Sequence, residues 1–358
     1  MSWNQIVGHD FVRQRFERIW KSKRVASTWL FVGPDGVGKR TFAMQLARTI
    51  LCEQNRGEPF DSCDNCPGCR QVINGGHPDL IRVSKPSDKS SIPLELLIGG
   101  RERRQEEGLC RAISLKSVRG MGKVAMIDDA DYLNNEGANA LLKTLEEPPP
   151  GTVLILIGTS LNRQLPTIIS RCQIARFDPM QQAEVVRILH HLQEFEAIRP
   201  LEELAGLSGG NVQLAMLMND PDVYEFRKSW LSDLAMMDPA ADETGKRLVK
   251  FAEDAGKETA LRRDRMQMVA NVAMVFFQTV LHRLCNIESW VDSETDEAAR
   301  AAAIAHNIEP DQLSRCIDRT VEFQKHIYAN VALASAVEPW LDDLSALLAG
   351  KLPVSVDW

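Results

Sequence analysis

The feature that most constrains the fold is a glycine-rich loop between a short apolar run and a helical pattern. The run covers residues 28–32, the loop covers residues 33–39 with the sequence GPDGVGK, and helical spacing begins at residue 40. A strand followed by such a loop and a helix is the context of a phosphate-binding loop, where backbone N–H groups and the helix N-terminus face a phosphate. The alternative is a glycine-rich turn that binds nothing. The context favours nucleotide-binding ancestry, with the cradle formed by Gly33, Gly36, Gly38 and Lys39.

The first half of the chain alternates strand-like runs with helical patterns. Further apolar runs lie at residues 80–83, 123–127, 153–157 and 173–177. This alternation predicts a parallel sheet with helices on both faces. Beyond residue 181 the pattern is helical throughout, and 358 residues exceed one ordinary domain. We therefore expect an α/β domain at residues 1–178, a small helical domain at 179–235 and an all-helical domain at 236–358.

Two positions near the predicted nucleotide site depart from the pattern of an active ATPase. Arg40 follows the lysine of the loop, where a Ser or Thr would hold Mg²⁺. Thr41 is rotated by about 100° along the helix, away from that position. The run at residues 124–127 ends in Asp128, the expected magnesium carboxylate, and in Asp129, where hydrolysing proteins carry the longer Glu. These departures weaken the case for hydrolysis more than the case for binding ATP with Mg²⁺.

Four of the eight cysteines lie close together, at Cys52, Cys63, Cys66 and Cys69. Their spacing, with turn residues between them, is typical of a structural zinc site closed by four thiolates. Four reduced cysteines without metal are the alternative. His77 lies nearby, and we interpret it as a loop residue because four cysteines already complete a tetrahedron. The sequence predicts a zinc module at about residues 52–69.

Charge and hydropathy exclude some functional classes. The net charge of −7 is unlike that of a protein that grips nucleic acid alone. The most apolar stretch, residues 268–284, is interrupted by polar side chains and is interpreted as a buried core helix rather than a membrane span. The first residues lack the basic and apolar regions of a signal peptide, so we expect a cytoplasmic location.

Three longer strings identify a family. They are DDAD at residues 128–131, NALLKTLEEPP at 139–149 and SRC at 170–172. Together they resemble the clamp-loader branch of the AAA+ ATPases. The segment at residues 3–9 is similar to the part of that family near the adenine, and Asn330 to Leu333 with Glu338 and Leu341 resemble its last collar helix. The resemblance implies an AAA+ domain at 1–178, a lid at 179–235 and a collar or oligomerisation domain at 236–358.

The resemblance also implies roles for single residues. Arg171 matches the arginine finger that reaches into a neighbouring subunit's ATP site; a surface arginine in an ion pair is the alternative. Ser160 or Thr159 matches the first sensor of the γ-phosphate. The second sensor, an arginine in the family's hydrolysing members, is replaced by Gln213. Arg40, Asp129 and Gln213 together predict a subunit whose own ATPase is weak or absent.

The main hypothesis is a non-motor subunit of a DNA sliding-clamp loader that donates Arg171 in trans. The implied partners are gamma/tau and delta loader subunits in a ring, with the sliding clamp and primer-template DNA reached through the assembly. One alternative is a gamma/tau-like motor in which Thr41 and Asp129 substitute for the usual groups. Another is a zinc-dependent nucleic-acid-binding module with a relic phosphate loop, which the acidic balance disfavours.

Overall fold

The structure is a computed structural model. It describes residues 3–22, 25–54, 57, 59–86, 89–104, 106–192, 195–236, 242–287, 291–305, 308–328 and 331–351. The chain divides into two compact units. The first comprises residues 1–195 and 209–213, and the second comprises residues 196–208 and 214–358.

The first unit is a parallel α/β domain. Its strands are β1 (Thr28–Val32), β2 (Leu80–Val83), β3 (Lys123–Ile127), β4 (Thr152–Gly158) and β5 (Gln173–Arg176). Its helices are α1 (Asp10–Lys21), α2 (Lys39–Leu51), α3 (Pro67–Ile73), α4 (Leu94–Ile98), α5 (Gly108–Ser114), α6 (Asn135–Glu146), α7 (Pro166–Ile169) and α8 (Gln182–His191). Short 3₁₀ turns lie at Trp3–Gln5, Arg101–Arg103, Ala130–Tyr132 and Leu161–Arg163.

The described strands form one sheet in the order β2-β3-β4-β1-β5, with every pairing parallel. Alternate residues of each strand face opposite sides, so β1 sends Trp29 and Phe31 into one core and Leu30 and Val32 into the other. Both cores are apolar, which explains why these strands are continuous hydrophobic runs. The predicted parallel sheet with helices is confirmed, and its carboxyl edge carries the phosphate loop and Asp128.

The second unit is helical in the residues that the structure describes. Its helices are α9 (Leu201–Leu207), α10 (Val212–Leu217, which begins in the first unit), α11 (Pro221–Ala235), α12 (Asp242–Glu253), α13 (Thr259–Leu284), α14 (Ser293–Ala305), α15 (Pro310–Tyr328) and α16 (Leu333–Leu348). Its core is aromatic: Phe323 stacks on Trp340 at 4.1 Å, and the Trp230 indole donates to the carbonyl of Val269 at 3.1 Å. The all-helical C-terminal region expected from the sequence is confirmed.

Other expectations have different outcomes. The division at residues 178 and 235 stays a prediction, and Asn330 lies outside the described residues. The charged run at residues 101–107, interpreted as a solvated helix or a mobile loop, contains a 3₁₀ turn at Arg101–Arg103, and Gln105 within it lies outside the described residues. No helix in the described ranges is both long and apolar enough to cross a membrane.

Candidate functional site

The phosphate loop closes tightly between β1 and α2. A Cβ atom on Gly33 would lie 2.1 Å from the carbonyl oxygen of Phe177, so only glycine fits there. Gly36 and Gly38 have φ angles of 70° and 90°, in the left-handed region that favours glycine. Lys39 is buried, and its ammonium donates to the carbonyls of Gly33 and Pro34 at 2.6 Å each. Burial lowers the pKa of Lys39, and the nearby carboxylates of Asp35, Asp131 and Asp128 oppose that shift.

Arg40 pairs with the carboxylate that a magnesium ion would need. Its Nε lies 3.0 Å from Oδ2 of Asp128, at the end of β3. Burial raises the pKa of Asp128, while Arg40, Arg82 and Lys39 oppose that shift by stabilising the charged form. One oxygen of this carboxylate is therefore paired with a guanidinium of the same chain, where an active ATPase would present it to a divalent metal.

Asp129 follows in an unusual backbone conformation. Its φ of 57° and ψ of 39° are left-handed, which a short polar residue tolerates better than most. Burial and the neighbouring charge of Asp128 raise its pKa. Ionising Asp129 therefore costs more than ionising a solvated carboxyl group, and the charge of Asp128 adds to that cost.

The third carboxylate of this strand end, Asp131, positions the segment after β4. It accepts hydrogen bonds from the backbone N–H of Thr159 at 2.8 Å and from the Thr159 hydroxyl at 2.7 Å, and it also contacts the Gln164 amide. Ser160 is half-buried and precedes the turn Leu161–Arg163. Of the two sensor candidates, Thr159 is the one whose hydroxyl already donates a hydrogen bond within the chain, to Asp131.

Three further residues, His9, Asn211 and Val212, adjoin the phosphate loop and were not assigned from the sequence. The imidazole Nε2 of His9 donates to the carbonyl of Val37 at 2.6 Å. The N–H of Val212 donates to the carbonyl of Gly36 at 3.2 Å, and a Cβ on Gly36 would lie 1.8 Å from Oδ1 of Asn211. The segment that carries Gln213 thus lies against the loop. The resemblances at residues 3–9 and at Gln213 pointed to these segments but not to these atoms.

Arg171 lies beside α7, with an anchored backbone and an accessible side chain. Its carbonyl accepts from the hydroxyl of Thr28 at 2.8 Å. Its Nε donates to Oε1 of Glu146 at 2.7 Å, a second guanidinium nitrogen contacts the same oxygen, and the third donates to the carbonyl of Thr167 at 3.1 Å. Glu146 is a partner that the sequence analysis missed, although it belongs to the string at residues 139–149.

The four predicted cysteines come together. Their sulfur atoms all lie within 4.8 Å of one another, and those of Cys63 and Cys69 are 3.9 Å apart. A tetrahedral zinc thiolate site with bonds of about 2.3 Å has sulfurs about 3.8 Å apart. Backbone N–H groups donate to the sulfurs of Cys52, Cys63 and Cys66 at 3.3–3.4 Å. Burial disfavours the Cys66 thiolate, but hydrogen bonds from the backbone of Cys69 and Glu53 and with the side chains of Cys69 and Cys63 outweigh it and lower the pKa of Cys66 to about 7. The cluster fits a metal ion of the zinc type.

His77 is buried in the loop before β2 and is not part of the cysteine cluster. Its Nδ1 accepts from the N–H of Asp79 at 3.0 Å, so Nε2 carries the proton of the neutral ring. Nε2 is buried and has no hydrogen-bond partner among the described residues. Burial lowers the pKa of His77.

A phosphate loop on a parallel five-stranded sheet, a tetracysteine cluster after the loop helix and an all-helical C-terminal region fit the AAA+ class. Residues 8–181 match the family model described as "DNA polymerase III, delta subunit". This match and the relatives below confirm the resemblance to clamp-loader subunits seen at residues 128–131, 139–149 and 170–172, and the subunit that the chain resembles is delta-prime of DNA polymerase III.

Delta-prime subunits of Pseudomonas aeruginosa and Bacillus subtilis are 34% and 35% identical to the chain over 56% and 44% of its length. The tau subunit of Bacillus subtilis is 27% identical over 68% of the chain and 40% of that relative. The matches cover 58% and 44% of the two delta-prime proteins, so the chain spans about half the length of these relatives.

Proposed function

We propose that the chain is a non-motor, delta-prime-like subunit of a DNA sliding-clamp loader. It would belong to the DNA polymerase III holoenzyme, act in chromosomal DNA replication in the cytoplasm, and carry out no polymerase chemistry of its own. The observation that carries the proposal is the 3.0 Å pair between Arg40 and Asp128, which places a guanidinium on the expected metal carboxylate. The names of the relatives support the assembly to which it would belong.

In this proposal, three differences from active ATPases remove most catalysis from the chain's own nucleotide site. Arg40 replaces the hydroxyl that would hold a metal, Asp129 is too short to orient water, and Gln213 lacks the cation that would face a γ-phosphate. Each contributes metal placement or charge compensation in phosphoryl transfer, so losing all three leaves little catalysis. ATP could still be held by Gly33, Gly36, Gly38 and Lys39, with Ser160 or Thr159 nearby, without being hydrolysed efficiently.

Arg171 would be the chemically active group, in a neighbour's site. It has an accessible side chain on an anchored backbone, which suits a group that leaves its own subunit. A guanidinium offers planar, paired donors to phosphate oxygens and stabilises charge that develops during transfer. The neighbour would be a gamma/tau subunit; delta, the sliding clamp and primer-template DNA complete the expected assembly.

The remaining parts of the chain would be structural. Cys52, Cys63, Cys66 and Cys69 would hold one zinc ion and fix the connection between α2 and α3. The helices beyond residue 178 would form the lid, to about 235, and the collar that joins the ring. With a net charge of −7, the chain would meet DNA through the assembly and not alone.

The test is reconstitution with gamma/tau and delta subunits, followed by steady-state ATPase measurement. We expect Arg171→Ala to lower the ATPase of the assembly at least about tenfold while its composition stays intact, because the trans cation is lost. Arg187→Ala, an exposed arginine on α8, is the matched control.

Unchanged ATPase with Arg171→Ala, or failure of the chain to copurify with the loader subunits, would remove the proposal. Brisk Mg²⁺-dependent hydrolysis by the isolated chain, abolished by Lys39→Ala, would indicate a motor instead. Tight, salt-sensitive DNA binding by the isolated chain would indicate the nucleic-acid-binding module.

A further inference from the structure

We propose that Glu146 is a positioning residue that holds the Arg171 guanidinium in cis and competes with the triphosphate of the neighbouring protomer for it. The inference rests on the proposed trans role of Arg171 and adds a regulator of that role. Glu146 would then set how readily the finger leaves its own subunit, and so the ATP concentration at which the neighbour's site works.

The geometry of the pair is that of a holding contact. Two guanidinium nitrogens of Arg171, Nε at 2.7 Å among them, contact the single oxygen Oε1 of Glu146. The third nitrogen donates to the carbonyl of Thr167 and to the hydroxyl of Ser170, both at 3.1 Å. All three nitrogens therefore have partners within the chain, and a phosphate must replace some of these contacts in order to bind.

Both members of the pair are presented by anchored backbone. Glu146 ends α6 directly after Leu145, which is buried, and Arg171 precedes Cys172, which is buried too. The hydrogen bond from the Thr28 hydroxyl to the Arg171 carbonyl further fixes the backbone that carries Arg171. The two side chains can therefore separate without any movement of the elements that carry them.

The pair is exposed enough to break readily. The side chains of Arg171 and Glu146 retain 30% and 50% of their accessible surface. Exposed ion pairs of this kind add little to stability because water solvates the separated charges well. A triphosphate carries more charge than one carboxylate and offers oxygens for bidentate contact. The Arg171 guanidinium would therefore leave Glu146 and bind the triphosphate when a neighbouring subunit brings it close.

The experiment is ATP titration of the reconstituted assembly carrying Glu146→Gln, which removes the charge and keeps the shape. We expect the ATP concentration for half-maximal hydrolysis to fall about two- to fivefold, within the range of one exposed ion pair, with kcat changed less than twofold. A structural role would instead lower kcat or assembly yield. Glu147→Gln, at the adjacent exposed glutamate, makes the same charge change and should leave both parameters at their wild-type values.

The outcomes separate this inference from the proposed function. If Arg171→Ala lowers ATPase but Glu146→Gln matches Glu147→Gln, the holding role is wrong and the trans role stands. If Glu146→Gln raises the half-maximal ATP concentration or lowers kcat, Glu146 helps Arg171 to act in the neighbour's site. Glu146 then does not compete with the triphosphate for the guanidinium, and the inference is overturned. If Arg171→Ala has no effect, the proposed function fails and this inference fails with it.

Discussion

At the scale of single residues, the charged groups of the phosphate loop are satisfied within the chain. Lys39 donates to two carbonyls of its own loop, and Arg40 neutralises Asp128. A functioning ATPase keeps such groups for metal and phosphate, because interactions already made in the free enzyme add nothing to the transition state. In the proposed non-motor role, these contacts would stabilise the loop in place of contacts to a metal ion and a phosphate.

His77 gives a prediction about pH at the same scale. Its pKa is lowered chiefly by burial; Arg119 acts in the same direction, and Asp79 and Glu53 act against it. The ring is then neutral in the folded chain, whereas the unfolded chain binds a proton below the ordinary pKa of about 6.5. The stability that His77 contributes is therefore complete above about pH 6.5 and is lost as the pH falls towards the folded pKa.

Urea unfolding at pH 7.5 and pH 5.5 measures this effect. The wild-type midpoint should be lower at pH 5.5, with a free-energy cost of up to about 1.4 kcal/mol per pH unit. His77→Gln, which cannot titrate, should show a smaller pH difference. His190→Gln, at an exposed position on α8, is the control and should behave as the wild type. An equal pH dependence in all three proteins would mean that His77 is not the titrating group.

At the scale of elements, the sequence predicted the positions of the strands better than the partners of individual side chains. The apolar runs at residues 28–32, 80–83 and 123–127 coincide with β1, β2 and β3 because strands buried on both faces must be apolar throughout. The charged run at residues 101–107 has no apolar face to bury and forms only a 3₁₀ turn in its described part.

The partners of individual side chains could not be predicted in the same way. Glu146 and Arg171 are 25 positions apart, and Arg40 and Asp128 are farther apart still. Such contacts depend on how helices pack around the sheet, which a local pattern does not encode. The cysteine cluster was predictable because its ligands are close in sequence and their chemistry is specific, so spacing alone limits the geometry.

The cysteine cluster gives the prediction at this scale. We expect about one zinc ion per purified chain and loss of that zinc in Cys66→Ser, because the fourth thiolate closes the tetrahedron. Metal binding contributes folding energy, so the midpoint of thermal unfolding should fall in Cys66→Ser and in chelator-treated wild type alike. Metal analysis and calorimetry measure both effects, and Cys285→Ser, at an exposed cysteine, is the control. Full zinc content in Cys66→Ser would contradict the assignment.

At the scale of the whole molecule, the candidate groups for nucleotide chemistry all belong to the first unit. The phosphate loop, Asp128, Arg171 and the segment 209–213 lie within it, and the second unit contributes an aromatic helical core. In the proposed role, the first unit would present the catalytic cation and the second unit would join the assembly. The two units would divide these tasks.

This division predicts an asymmetry between two substitutions in the same chain. Lys39→Met, which keeps the buried apolar stem, should leave the ATPase of the reconstituted assembly within about twofold of wild type, whereas Arg171→Ala should lower it at least about tenfold. The reason is that the assembly would use the guanidinium of this chain but not its phosphate loop. Steady-state hydrolysis with clamp and primed DNA measures both, and the equivalent lysine substitution in the gamma/tau subunit provides the positive control. Equal losses from Lys39→Met and Arg171→Ala, with the composition of the assembly unchanged, would contradict a role in which the assembly does not depend on the phosphate loop of this chain.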